Sequence, residues 1–362
     1  MYYTYPLYPY SFFTYFWRMK KFLKVTGIII CILAFIVMVP PLLLPSSYTA
    51  SSSIVIESTQ YNVFPYFADL RNWEEWSPWK EMDPSTKYKY SENSFGAGST
   101  MEWDSKNEQL GTGKITTVQF KKFHHINYKL EFVKPFRATS GGQFVVEKLN
   151  EKQVKVTWTN KGKLKWPFQR WINSFMSFKK MLEKDFAHGL EKLKKTIESS
   201  PQRQLPKLNP EKMEMPEINI FSIMYEVVRN SEIGSKIGES YKIILKEIDD
   251  IGAKKKLEPP VCLYYSHNRI STKMRPGIIV EGCGFALQGN VQCIPLRAGK
   301  VLRFAYYGGY ANLEPTYDAI DLYLEENKIN KRENYTWESY VSDPGMEPDS
   351  TKWLTNIYVP VK

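Results

Sequence analysis

Between Val25 and Val39 the chain reads VTGIIICILAFIVMV with no charged residue, and after Pro40-Pro41 it adds Leu42, Leu43 and Leu44. The span Val25–Leu44 holds 20 residues, and a helix crossing a bilayer core takes about 20. Pro40-Pro41 can end or kink that helix early, so the span is marginal. Arg18, Lys20, Lys21 and Lys24 precede it, and no Lys or Arg follows until Arg71. The positive-inside rule then predicts a single-pass anchor over 19–46, with the N-terminus in the cytoplasm and the rest of the chain on the non-cytoplasmic, periplasmic side. A cleaved signal peptide is the competing reading, although Tyr48 spoils the small-x-small site that would end at Ala50. Residues 1–18 fit no folding unit, and Met19-Lys-Lys-Phe-Leu-Lys looks like a bacterial start. Residues 1–18 are therefore read as an over-extended start.

A second regime covers 51–198. Ser52–Glu57 alternates apolar and polar positions and predicts a strand. Val63–Leu70 predicts a short amphipathic helix, and Asn72-Trp-Glu-Glu-Trp-Ser-Pro-Trp79 follows. Strands are predicted over 114–120, 126–132, 142–149 and 154–160, with Gly96, Gly98, Gly111, Gly113, Gly141 and Gly142 as turn punctuation. One long helix over 169–199 closes the domain: Phe175, Phe178, Met181, Leu182, Phe186, Leu190, Leu193 and Ile197 recur at three- and four-residue steps. With the Val-Phe-x-x-Phe-x-Asp and Asn-Trp-x-x-Trp-Ser-Pro-Trp segments, this order resembles the SRPBCC superfamily (START-like, polyketide-cyclase-like). That resemblance implies a curved sheet gripping a helix, with an apolar cavity between them for lipids or other hydrophobic ligands. Core packing is the expected role of Trp73, Trp76 and Trp79. His124-His125 has no nucleophile partner in the pattern, and neighbours on a strand face opposite ways.

Residues 199–216 carry four prolines and no apolar period, and read as an extended linker between separately folding domains. The pattern of 217–362 then repeats itself. Strand (218–228), helix (237–251), strand (260–266) and strand (277–282) are followed by strand (299–307), helix (313–326), strand (335–341) and strand (354–360). Tyr241 precedes Tyr265 by 24 residues, and Tyr317 precedes Tyr340 by 23. Two β-α-β-β units related by pseudo-twofold symmetry leave a groove at their seam. The expected class of the whole chain is α+β: a membrane helix, a helix-grip antiparallel sheet with its long C-terminal helix, and the duplicated domain.

Composition narrows the partners. The formal net charge is +11, but the lysines of 179–195 alternate with Glu183, Asp185 and Glu191, as on a solvated helix face. No nucleic-acid partner is expected. Cys31, Cys262, Cys283 and Cys293 show no C-x-x-C spacing, and there are only four histidines, so neither a metal site nor a cofactor is expected. A Cys283–Cys293 bridge outside the cytoplasm and reduced buried thiols both remain open.

The words Tyr307-Gly-Gly-Tyr310, Trp337-Glu-Ser-Tyr-Val-Ser-Asp-Pro-Gly345 and Trp353-Leu-Thr-Asn-Ile-Tyr-Val-Pro-Val361 closely resemble the GyrI-like family, also called the AraC effector-binding domain. The resemblance implies that Glu338, with Tyr340 two residues on, lines a central cleft for cationic aromatic ligands. Period-two geometry puts both side chains on one sheet face. Aligning Tyr265 with Tyr340 sets Leu263 against Glu338 across the repeat. Tyr264, Tyr265, Tyr307, Tyr310, Trp353 and Tyr358 are the expected aromatic walls. A carboxylate in an apolar groove is costly unless compensated, and an exposed or internally satisfied Glu338 is the bland alternative. The implied function is membrane-anchored binding of a hydrophobic or cationic aromatic small molecule, as sensor, carrier or scavenger. The alternative is hydrolysis of reactive electrophiles, with Glu338 and Tyr340 as the catalytic pair. A regulator reading lacks a helix-turn-helix segment.

Overall fold

The computed structural model describes residues 10–135, 137–342 and 345–362. It divides into two units, Met1–Ser200 and Pro201–Lys362.

In the first unit the apolar run forms one helix, α1 (Tyr10–Met38). Pro40-Pro41 stops it, because proline rings supply no N–H to continue the ladder, and a 3-10 turn covers Pro40–Leu42. The stretch Trp17–Leu42 is long and apolar enough to cross a membrane. Of the residues read as an over-extended start, 10–18 continue α1 and 1–9 lie outside the described residues. There follow β1 (Ser47–Ile56), four short helices α2 (Gln60–Val63), α3 (Pro65–Ala68), α4 (Trp73–Trp76) and α5 (Pro78–Met82), and the strands β2 (Lys87–Tyr90), β3 (Thr100–Asp104), β4 (Thr112–Lys121), β5 (His125–Lys134), β6 (Ala138–Asn150) and β7 (Gln153–Lys163). Helices α6 (Phe168–Phe175) and α7 (Phe178–Ser199) end the unit. The strands form one antiparallel sheet in the order β1-β7-β6-β5-β4-β3-β2.

Helix α7 lies on this sheet through Phe186, Leu190, Leu193 and Ile197, all buried. Rings fill the space between. Trp158 of β7 stacks on Phe186 at 4.1 Å and on Phe144 at 4.7 Å, with Trp76 and Trp79 edge-on to it at 5.5 and 5.4 Å. Trp73 and Trp76 donate their indole N–H groups to the carbonyls of Phe67 and Tyr66. The tryptophan segment is thus core. Gly189 lets α7 approach closely: a Cβ there would sit 2.8 Å from Pro78 and 3.3 Å from Trp158.

The single helix expected over 169–199 is two. The Asn173 side chain accepts from the Phe178 N–H, and Ser177 caps α7 by accepting from the Lys180 N–H. The break turns Phe175 out of the core stripe; it is 80% exposed.

The second unit contains β8 (Glu211–Met215), β9 (Ile218–Ile223), β10 (Tyr225–Arg229), α8 (Ile233–Ile251), β11 (Val261–His267), β12 (Ser271–Val280), β13 (Val291–Leu296), β14 (Gly299–Tyr307), α9 (Glu314–Glu326), β15 (Thr336–Tyr340) and β16 (Leu354–Pro360). The sheet order is β13-β9-β12-β11-β15-β16-β14-β8, with β10 pairing β12. The linker reading of 199–216 needs correction at its end, since Glu211–Met215 is an edge strand paired with β14. Strand β13, also unanticipated, carries Pro295 at the opposite edge, where a missing N–H costs the ladder least. A Cys283–Cys293 disulfide ties the loop after β12 to β13, while Cys31 and Cys262 are free. The two repeats meet where β11 pairs antiparallel with β15.

Candidate functional site

At that seam Glu338 stands opposite Cys262 of β11 and Ile357 of β16. Cross-strand neighbours share a sheet face. Cys262 packs with Ile233 and Ile237 of α8, and Ile357 with Ile320 and Leu324 of α9. Glu338 therefore lies beneath the two helices, at the local twofold that relates them.

The carboxyl is buried, with 3% of the residue exposed. Its partners are phenols. The Tyr317 hydroxyl, from α9, donates to Oε1 at 2.6 Å, and the Tyr340 hydroxyl donates to Oε2 at 2.8 Å. The Tyr264 and Tyr340 hydroxyls are 2.9 Å apart. Tyr340 has already committed its only proton to Glu338, so Tyr264 is the donor between them. Among the described residues no Lys or Arg pairs with Glu338. Burial pushes the Glu338 carboxyl above the ordinary glutamate range, and the hydroxyls of Tyr317, Tyr340 and Tyr264 pull back against it. The same burial, followed by the carboxylate, holds the Tyr317 and Tyr340 hydroxyls and the Cys262 thiol well above their usual ranges.

The pseudo-symmetry differs from the expected alignment by one residue. Tyr264, not Tyr265, is the mate of Tyr340, and Cys262, not Leu263, is the mate of Glu338. The cross-strand pair Cys262–Glu338 fixes the mates directly, and the tyrosines two residues on from each bring their hydroxyls together. With that correction Tyr264 follows Tyr241 by 23 residues, as Tyr340 follows Tyr317. The halves then part in chemistry. Tyr241 of α8 donates to the Val261 carbonyl at 3.0 Å, whereas its counterpart Tyr317 donates to the acid.

Of the expected walls, Tyr310 meets Tyr340 edge-on at 5.5 Å and Trp353 at 5.3 Å, and both Tyr310 and Trp353 are partly exposed. Tyr307 is exposed at the end of β14, opposite Leu354. Tyr265 and Tyr358 are corrected. Tyr358 stacks on Trp337 at 5.0 Å, and Tyr265 packs with Tyr335 and Leu263. Trp337 and Glu338 are adjacent on one strand, so this group faces away from Glu338. Tyr317 and Cys262 adjoin Glu338, Tyr241 is the counterpart of Tyr317, and none of the three was singled out as a site residue from sequence. The repeat itself carried the signal, because a tyrosine stands 21 residues before both Cys262 and Glu338.

Residues 208–362 match the family model "GyrI-like small molecule binding domain", and 48–198 match "Polyketide cyclase / dehydrase and lipid transport". The second domain is GyrI-like and the first is polyketide-cyclase-like, of the SRPBCC type. No curated protein matches the chain in sequence. Among solved structures, the C-terminal domain of EcmrR is 21% identical over 43% of this chain and 99% of its own, with a TM-score of 0.38. EcmrR in a complex with DNA is 18% identical over 54% of this chain and 73% of its own, TM-score 0.40. An Aha1 dimer from Colwellia psychrerythraea is 14% identical over 42% of this chain and 97% of its own, TM-score 0.32. Both domain assignments support small-molecule binding, and in the GyrI-like domain the buried acid lies on the seam between the repeats.

Proposed function

We propose that the chain is a membrane-anchored binder of cationic aromatic or hydrophobic small molecules, with Glu338 of the GyrI-like domain as the cation-recognising group. One observation carries this reading: a buried carboxyl is held by two phenol hydroxyls and, among the described residues, is paired with no Lys or Arg. Such an acid is costly when ionised, and a cation delivered beside it removes the cost. Tyr340, Tyr310 and Trp353 lead outward from it, and aromatic faces add about 0.5–2 kcal/mol of cation–π attraction. The anchor is α1, with Arg18, Lys20, Lys21 and Lys24 on its cytoplasmic side. The Cys283–Cys293 disulfide favours an oxidising, non-cytoplasmic setting for the folded domains. The reading includes no nucleic-acid partner, since the lysines of the long helix are interleaved with acids.

The test is a pH profile. Only the ionised carboxyl attracts a cation, and burial raises the pH at which it ionises. Affinity for a permanently cationic aromatic dye should therefore climb with pH, by up to about tenfold per unit below the raised value, and level off above it. Fluorescence titration of the full chain in detergent from about pH 4 to 8, spanning the carboxylate range and above it, reads this directly. A flat profile rejects Glu338 as the cation's partner.

A further inference from the structure

Helix α6 buries none of its eight residues. Yet Phe168, Trp171, Ile172 and Phe175 recur at i, i+3, i+4 and i+7, which makes one continuous apolar stripe. Phe168 is 67% exposed and Phe175 80%, and Met176 extends the patch. Gln169, Arg170, Asn173 and Ser174 take the other face. A stripe of this kind on a free helix has an unfilled partner.

Its position identifies the partner. Trp166 and Trp171 donate their indole N–H groups to the carbonyls of Met38 and Val37, at 3.0 and 3.1 Å, and Arg170 donates to the Pro41 carbonyl at 3.1 Å. The Val37 and Met38 carbonyls belong to the last turn of α1, which has no intrahelical donor for them. Helix α6 is thus pinned to the point where α1 ends, beside Leu42 and Leu43, which are 62% and 90% exposed. The length of α1 agrees. From Val25 to Met38 the uncharged helical stretch holds fourteen residues, about 21 Å at 1.5 Å per residue, so the span Trp17–Leu42 uses its flanking residues to cover a hydrocarbon core of about 30 Å. The end of α1, where α6 is pinned, then lies at the membrane boundary.

We propose that α6 is an interfacial membrane helix, lying in the plane of the non-cytoplasmic leaflet with its Phe168–Phe175 stripe in the acyl boundary and its two indoles at headgroup level. Lys163, Lys165, Arg170, Lys179 and Lys180 flank the stripe and suit anionic headgroups. The inference rests on the reading of α1 as an anchor. It adds that the polyketide-cyclase-like domain sits against the bilayer at a fixed depth.

The full chain in vesicles of zwitterionic and anionic phospholipid tests it. A thiol-reactive fluorophore is placed on native Cys31, in the middle of α1, or on Phe175→Cys in a Cys31→Ser background. Cys262 is buried and Cys283–Cys293 is bridged, so neither competes for the label. An exposed site in the β6–β7 turn, Glu151→Cys, serves as the aqueous reference. Lipid-borne quenchers should reach positions 31 and 175, deep and shallow respectively, with several-fold weaker iodide quenching at 175 than at 151. Position 31 in lipid with 175 quenched by iodide like 151 overturns the α6 inference and leaves the anchor standing. Position 31 in water overturns both. Protection of 175 from both quenchers means that a second copy covers the stripe, which also overturns it.

Discussion

Glu338→Gln is expected to weaken binding of a cationic aromatic ligand by about tenfold to a hundredfold, or roughly 1.4–2.8 kcal/mol. Glutamine keeps the shape of the side chain and can still accept from Tyr317 or Tyr340, so the loss isolates the charge. The fold should survive, and its pH dependence shows why. The folded carboxyl is raised above its unfolded value, so the native state binds more protons than the unfolded one between the two. Stability of the ligand-free wild type is therefore full below the ordinary glutamate range and falls as pH rises through the folded value. In Glu338→Gln that fall should be absent, leaving the variant no less stable than wild type at neutral pH. Paired titrations and denaturation curves at two pH values check both halves. Unchanged cation affinity in a folded Glu338→Gln would remove the acid from the ligand site.

Trp158→Ala should be the most damaging substitution in the first domain, at about 3–5 kcal/mol. Trp158 is fully buried, stacks on Phe144 and Phe186, and meets Trp73, Trp76 and Trp79 edge-on. It joins three layers: the sheet, the tryptophan segment and α7. Its indole also donates to the Tyr128 hydroxyl at 2.8 Å, a buried acceptor that would lose its donor. Guanidinium unfolding of the full chain, followed by near-UV dichroism, should show the first domain's transition moving to lower denaturant while the second domain's holds. A cost below about 1 kcal/mol would mean that the rings do not form the core described.

How far the sequence carried depended on how much each segment buries. Central strands with long alternating or apolar runs, such as β4 to β7 and β11, were legible from pattern because both neighbours and one packed face constrain them. The strands that escaped, β2, β8 and β13, are all sheet edges, and β3 lies next to one. Edge residues bury less, so Lys-Tyr-Lys-Tyr and Glu-Lys-Met-Glu-Met carry a weak signal, and Pro295 reads as a break. The α6–α7 break was invisible because Phe175 and Phe178 both fit a three- to four-residue period. The interruption comes from side-chain capping by Asn173 and Ser177, which periodicity does not register.

At the site, Glu338, Tyr340 and Tyr264 were readable, but their arrangement was not. Two adjacent tyrosines, Tyr264 and Tyr265, compete for the place of Tyr340's mate, and because strand faces alternate only Tyr264 stands on the acid's side. Tyr317 escaped because a helical tyrosine among apolar neighbours reads as core. Only the tertiary placement of α9 over β15 brings its hydroxyl to 2.6 Å from the carboxylate.

The central claim is tested most directly by calorimetric titration of the full chain with two ligands of one ring system, one carrying a quaternary ammonium and the other its neutral carbon isostere, at a pH where Glu338 is ionised. Recognition by a buried acid predicts that the cation binds at least about tenfold more tightly, a difference of 1.4 kcal/mol or more. Equal affinities, or a preference for the neutral ligand, would contradict it.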